Sequence, residues 1–260
     1  MNAEEPERLV GADRVLAALI ELAEHPAGIS LDELATRLGS SKPTAHRALA
    51  VLRRAGFASL EGRGRYELGD EFVRLAYRFA DSRPESAAVM PLLQELATRF
   101  GETVHFAVLD GRDIVYRAKV DPPSGAMRLT STIGGRNPAR STAVGKLLLS
   151  AEVSTAVELD QWFDAVELAA ITPTTITTID GLWQDLELTK ERGYGLDNQE
   201  NEIGVNCIAL PVRIGGVRAG GISLSGLTYR CDLDSLVEAV PAIREMIERH
   251  LGAGATRMTD

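Results

Sequence analysis

Apolar residues recur at helical spacing through the first third of the chain. Val15, Leu16, Leu19, Leu22 and Ala23 predict one face of a helix over Ala12–Glu24, which the breaker His25-Pro26-Ala27-Gly28 ends. A second stripe, Leu31, Leu34, Ala35 and Leu38, follows a Ser30/Glu33 capping box and stops at Gly39. In "SSKPTAHRALAVLRRAGF" the positions Ala45, Leu49 and Leu52 turn to a core, while Arg47, Ala50 and Arg54 take the opposite side. Pro43 fits there, because first-turn amides have no intrahelical acceptor. Two helices around a tight Gly-containing turn predict a helix-turn-helix. "FASL" and "RYEL", flanking Glu61-Gly62-Arg63-Gly64, predict the hairpin that makes it a winged helix.

Beyond Gly69 the pattern changes twice. Phe72, Leu75, Ala76, Phe79 and Ala80 predict a single amphipathic helix that closes at Arg83-Pro84, where a domain boundary is expected. Its stripe must bury itself on its own domain or on a second subunit. Then come a helix over Glu85–Phe100, a hairpin in "ETVHFAVLDGRDIVYRAKV" turning at Asp110-Gly111, and a strand near Met127–Ser131. A short helix over Thr142–Ser150 and another from Ile179 to Gly193 follow. Two strands, "CIALPVRI" and "AGGISLSG", join at Gly215-Gly216 before a last helix over Leu233–Leu251. Helices interleaved with antiparallel hairpins predict an α+β fold. The expected division is 1–68 winged helix-turn-helix, 69–84 linker helix, 85–252 C-terminal domain and 253–260 flexible tail.

Charge sharpens this picture. The 260 residues carry a formal net charge of −9, yet residues 1–84 hold 12 Lys and Arg against 13 Asp and Glu. Between Lys42 and Arg65 six cations face a single anion, Glu61. Screening over about 8–10 Å makes that local excess the relevant one. With the helix-turn-helix spacing and the Arg-tipped hairpin, it points to duplex DNA. Thr44, His46 and Arg47 are expected in the major groove, and Lys42, Arg63 and Arg65 at phosphates. No apolar run is long enough for a membrane span. The N-terminal MNAEEPERLV lacks the pattern of a secretory leader. Two cysteines without metal-ligand spacing make a reduced cytoplasm the expected location, with no metal and no cofactor.

In "GISLSG" the hydroxyls of Ser223 and Ser225 share one strand face and require partners, from the protein or from a ligand. Cys207 lies on the strand expected to pair with them, Asp197 in the approach loop, and Ser141-Thr142-Ala143-Val144 opens a helix whose free amides suit a carboxylate. The plainer reading makes Ser223 and Ser225 backbone-bonded and Cys207 a small core residue.

The chain resembles the IclR family of bacterial transcriptional regulators over nearly its full length. The likeness is carried by "KPTAHRALAVL", "GRGRYELG", "GETVHFAVLDG", "GGRNPARSTAVGK", "ERGYGLDNQENEIGVNCIALPV" and "GISLSG". The resemblance implies a DNA-binding winged helix, a linker helix used in dimerisation, here through Phe72, Leu75 and Phe79, and a GAF-like effector-binding domain. It also implies a homodimer, typically a dimer of dimers, that regulates a catabolic operon as repressor or activator in response to an organic or aromatic acid. Position by position, the implied effector pocket is Asn137, Ala143, Val144, Asp197, Cys207, Ser223 and Ser225. Pro43 stands where the family often has Ser, and Asn137 is polar where members are often apolar. Two rivals remain at this level. Cys207, His105 and Asp197 assemble on paper into a nucleophilic set, although no catalytic motif surrounds them. A non-specific DNA-binding module is the other.

Overall fold

The computed structural model describes residues 11–62, 64–81, 84–122, 129–163 and 168–258, the side chains of 79–81 excepted. Two compact units divide the chain, residues 1–83 and 84–260.

The first unit holds α1 (Gly11–Glu24), β1 (Ile29–Ser30), α2 (Leu31–Arg37), α3 (Lys42–Arg54), β2 (Ala58–Glu61), β3 (Arg65–Leu68) and α4 (Asp70–Asp81). The capping box forms in full: the Ser30 hydroxyl accepts from the Glu33 amide and the Glu33 carboxylate accepts from the Ser30 amide. The strands make an antiparallel sheet in the order β1-β3-β2. Its core gathers Ala18, Leu22, Ile29, Leu34, Leu49, Leu52 and Tyr66. The expected α1 face needs one correction. Ala18 and Leu22 are buried, whereas Leu16 is 59% exposed and Ala23 is also outside. Val15, Ala18, Leu19 and Leu22 keep the helical spacing, and Leu16 lies about 100° off that line.

The second unit holds α5 (Pro84–Phe100), β4 (Thr103–Asp110), β5 (Asp113–Val120), β6 (Arg136–Pro138), α6 (Ala143–Glu152), α7 (Ala156–Phe163) and α8 (Ile179–Arg192). After these come β7 (Gly195–Asn198), β8 (Val205–Ile214), β9 (Val217–Leu227), α9 (Leu233–Glu238) and α10 (Val240–Leu251). The strands form one antiparallel sheet, β6-β5-β4-β9-β8-β7. Strand alternation sends Val104, Phe106, Ile208, Leu210, Ile222 and Leu224 to the side covered by α5 and α10. The opposite side packs against α6 and α8 with small residues, Ala107 and Ala209.

Three expectations change. Residues 129–131 are not a strand, and the rest of the run expected from Met127 lies outside the described residues; the edge strand is β6 instead. The last helix is broken between α9 and α10, because Pro241 lacks an amide and its ring clashes with a preceding carbonyl. Residues 253–258 are docked rather than loose: the Arg213 amide donates to the Ala255 carbonyl at 2.8 Å, and Ala255 is 4% exposed. A single Ala255 between Gly254 and Thr256 gives too short a pattern to signal this.

Candidate functional site

In the first unit, α3 begins at Ser41, whose hydroxyl bonds the Thr44 hydroxyl at 2.9 Å instead of capping the helix. Thr44 is half-buried, while His46 and Arg47 stand exposed one turn in. The Arg47 side chain leans back on the Pro43 carbonyl, with Nε at 3.4 Å. Lys42 pairs with Asp32 at 2.7 Å on the surface; an exposed pair of this kind contributes little and leaves the ammonium open to exchange with a phosphate. Arg65, expected at a phosphate, also holds backbone. Its guanidinium donates to the carbonyls of Ala27 at 3.2 Å and Gly28 at 2.5 Å, bracing the turn into β1. Arg63 lies outside the described residues.

In the second unit, a cavity of about 450 Å³ opens between the sheet, the start of α6 and the loop after β7. All seven residues named for the pocket, Asn137, Ala143, Val144, Asp197, Cys207, Ser223 and Ser225, line it. Register explains why. Asp197 pairs with Cys207, Cys207 with Ser225 and Ser225 with Thr103, a row across four strands on one face. One step along, Ala209, Ser223 and His105 form the next row. From the rim, Ala143 and Val144 present the first turn of α6, whose N–H groups have no intrahelical acceptor. Thr142 caps that helix by accepting from the Gly145 amide at 3.2 Å.

His105 and Tyr116 also line the cavity, although neither was expected there. His105, considered only for catalysis, is 1% exposed; its Nε2 lies 2.7 Å from the Ser131 hydroxyl and its ring meets Tyr116 at 4.5 Å. Tyr116 in turn accepts from Asn137 Nδ2 at 3.1 Å. The alternation of "DIVYRAKV" carries a signal for Tyr116, but the partner across the cavity depends on a bulge between Phe106 and Ala107. A buried ion cluster supports the wall. Lys146, 1% exposed on α6, reaches Glu200 Oε1 at 2.5 Å and Asp185 Oδ2 at 2.8 Å. Glu200 in turn donates its amide to Asp197 Oδ1 at 2.7 Å. The only sequence signal was one charge inside "AVGKLLL".

Burial controls the protonation states. It pushes the Asp197 carboxyl up to about 7; the Glu200 amide that bonds it opposes the rise, while the Glu200 charge adds to it. Burial also pushes His105 down to about 3, helped by Lys119, and raises Tyr116 to about 12. The Cys207 thiol is held well above its ordinary range by burial and by Asp197. A nucleophilic cysteine needs its thiolate, and His105 bonds to Ser131 rather than to Cys207. The catalytic assembly considered from sequence therefore has neither the charge state nor the contact it needs. Among the described residues no group of three or more His, Cys, Asp or Glu could hold a metal ion, and no helix is long and apolar enough to cross a membrane.

Residues 11–62 match the family described as the IclR helix-turn-helix domain, and residues 80–249 the one described as bacterial transcriptional regulator IclR C-terminal. The transcriptional regulator KdgR of Escherichia coli K12 is 35% identical over 239 residues, spanning 91% of this chain and 89% of its own. The crystal structure of the Thermotoga maritima IclR superposes with a TM-score of 0.75 at 29% identity, over 93% of this chain and 98% of that one. An IclR homologue from Microbacterium hydrocarbonoxydans complexed with 4-hydroxybenzoate shares the fold, with a TM-score of 0.73 at 21% identity, over 92% and 100% of the two chains.

Proposed function

The chain belongs to the IclR family of bacterial transcriptional regulators, and from that premise we propose that it controls a catabolic operon in response to a small organic or aromatic acid. It is a DNA-binding regulator of the IclR type. In the proposal, Arg47, His46 and Thr44 enter the major groove, Arg47 reading guanine O6 and N7, while Lys42 neutralises a phosphate. Arg63 contacts a phosphate as well, and Arg65 acts chiefly through the turn it braces. Two copies pair through α4 at Phe72 and Leu75, together with Phe79, whose side chain lies outside the described residues, so that their recognition helices meet half-sites about one helical turn apart. A regulator of this kind works in the cytoplasm.

The observation that carries the ligand-responsive reading is the gathering of Asn137, Ala143, Val144, Asp197, Cys207, Ser223 and Ser225 around one polar-lined cavity. Complex formation between a fold-sharing homologue and 4-hydroxybenzoate agrees with an acid as ligand class. The acid acts on DNA affinity by binding one arrangement of the protein more tightly than another.

Selection of genomic fragments by the purified full-length protein tests the reading. One palindrome-like site should be enriched, and Arg47→Ala should weaken it by about 1–3 kcal/mol while relaxing base preference. Retention that is uniform across sequences and merely salt-sensitive would replace specific regulation with non-specific binding.

A further inference from the structure

The cavity presents an occupant with an acid that no uncommitted cation answers. Asp197 is 2% exposed, on β7 against β8; its Oδ1 is taken by the Glu200 amide at 2.7 Å, and the Asn201 amide and the Cys207 thiol also bond its carboxyl. From its own loop come Glu200 and the cavity-lining Glu202; from β8, Cys207; from β4 and β5, His105 and Tyr116; and from β6, Arg136. Lys146 of α6 is the ammonium that acts on it, and it is shared between Glu200 at 2.5 Å and Asp185 of α8 at 2.8 Å, with Arg192 also 3.7 Å from Asp185. Arg136, the one Arg or Lys lining the cavity among the described residues, is bound to Asp110 at 2.7 Å and Asp113 at 3.2 Å. His105 is neutral. A carboxylate held by the first-turn amides of Ala143 and Val144 would therefore face an ionised Asp197 with nothing between them to offset the repulsion.

We propose that the cavity admits a carboxylate ligand together with one proton, carried on the Asp197 carboxyl, so that effector occupancy depends on pH. This rests on the effector-cavity reading above and assigns Asp197 a state that the reading leaves open. The proton comes from solvent: Asp197 goes from carboxylate to carboxylic acid and the ligand stays an anion, so the occupied cavity carries one net negative charge instead of two. Burial already brings Asp197 to about 7 when the cavity is empty, and a second carboxylate alongside raises it further. The sign follows. Below that value the acid form is present and affinity is flat. Above it each pH unit lowers affinity about tenfold, because a proton must be taken up first.

The test uses the full-length protein, isothermal titration calorimetry, and four probes: acetate, benzoate, 4-hydroxybenzoate and gluconate, with 4-hydroxybenzamide as a neutral control. At least one carboxylate should bind about 30-fold more tightly at pH 6 than at pH 8.5. Its heat at pH 8.5 should vary with the ionisation enthalpy of the buffer, which reports the proton uptake directly. In Asp197→Asn the same probe should bind with affinity independent of pH within about twofold. If that variant does not fold, the buffer series on the unaltered protein decides alone. Equal affinity at both pH values, or heats independent of buffer, overturns the coupling. Binding of none of the carboxylates at pH 6, or of the amide alone, overturns the carboxylate class; selection of a specific DNA site would survive that result, so the two failures are distinguishable.

Discussion

His105 puts a titratable ring where water does not reach. Its value in the folded chain is about 3, against an ordinary 6.5, mainly because burial disfavours the imidazolium. A base whose folded value is depressed contributes stability that is complete above 6.5 and is lost as pH falls towards the folded value. Urea unfolding followed from pH 6.5 to 4.5 should therefore show a loss of about 2 kcal/mol from this residue, and His105→Gln should flatten that part of the profile. An unchanged slope in the variant would assign the acid sensitivity elsewhere. Asp197 has the opposite sign, since its folded value is raised. At this scale Ser223 and Ser225 were legible, because a two-residue spacing alone puts both side chains on one face. His105 as a cavity residue was not: its burial comes from strands and a loop distant in sequence.

Gly145 shows how an element can be constrained by another element it must touch. Helix propensity by itself would favour Ala there by about 1 kcal/mol. A Cβ on Gly145, however, would sit 2.2 Å from the Ala139 carbonyl oxygen and 2.5 Å from the Thr142 hydroxyl that caps the helix. Contact at that distance outweighs propensity, so Gly145→Ala should destabilise the fold by about 2–4 kcal/mol in chemical denaturation. Gly62, where an added methyl group would meet nothing within 4 Å, is the control and should change by less than about 0.5 kcal/mol. The α6 helix itself was legible, from its apolar run and the Thr142 start. The packing that demands glycine was not, since Ala139 approaches only after the turn before α6 folds back. The same division holds at β7, which reads as a loop in isolation and becomes a strand by pairing with β8.

For the whole molecule, the first unit leaves apolar side chains in water: Phe72 is 40% and Leu75 41% exposed on α4, and Leu16 and Ile20 are 59% and 63% exposed on α1. If two copies cover the α4 face as proposed, Phe72→Glu with Leu75→Glu should weaken self-association at least about tenfold in sedimentation equilibrium, with little effect on melting of the dissociated chain. Unaltered association would move the contact off α4. The chain's own pattern determined the winged helix-turn-helix, the capping box, the basic α3 face and the α+β class, because helical spacing, strand alternation, glycine turns and local charge act between near neighbours. Tertiary structure alone decided that His105 joins the wall of Asp197, Cys207 and Ser225, that Arg65 braces a turn, and that Lys146 is buried between Glu200 and Asp185. These depend on which strands pair, in which register, and on the desolvation that follows when groups far apart in sequence close around one another.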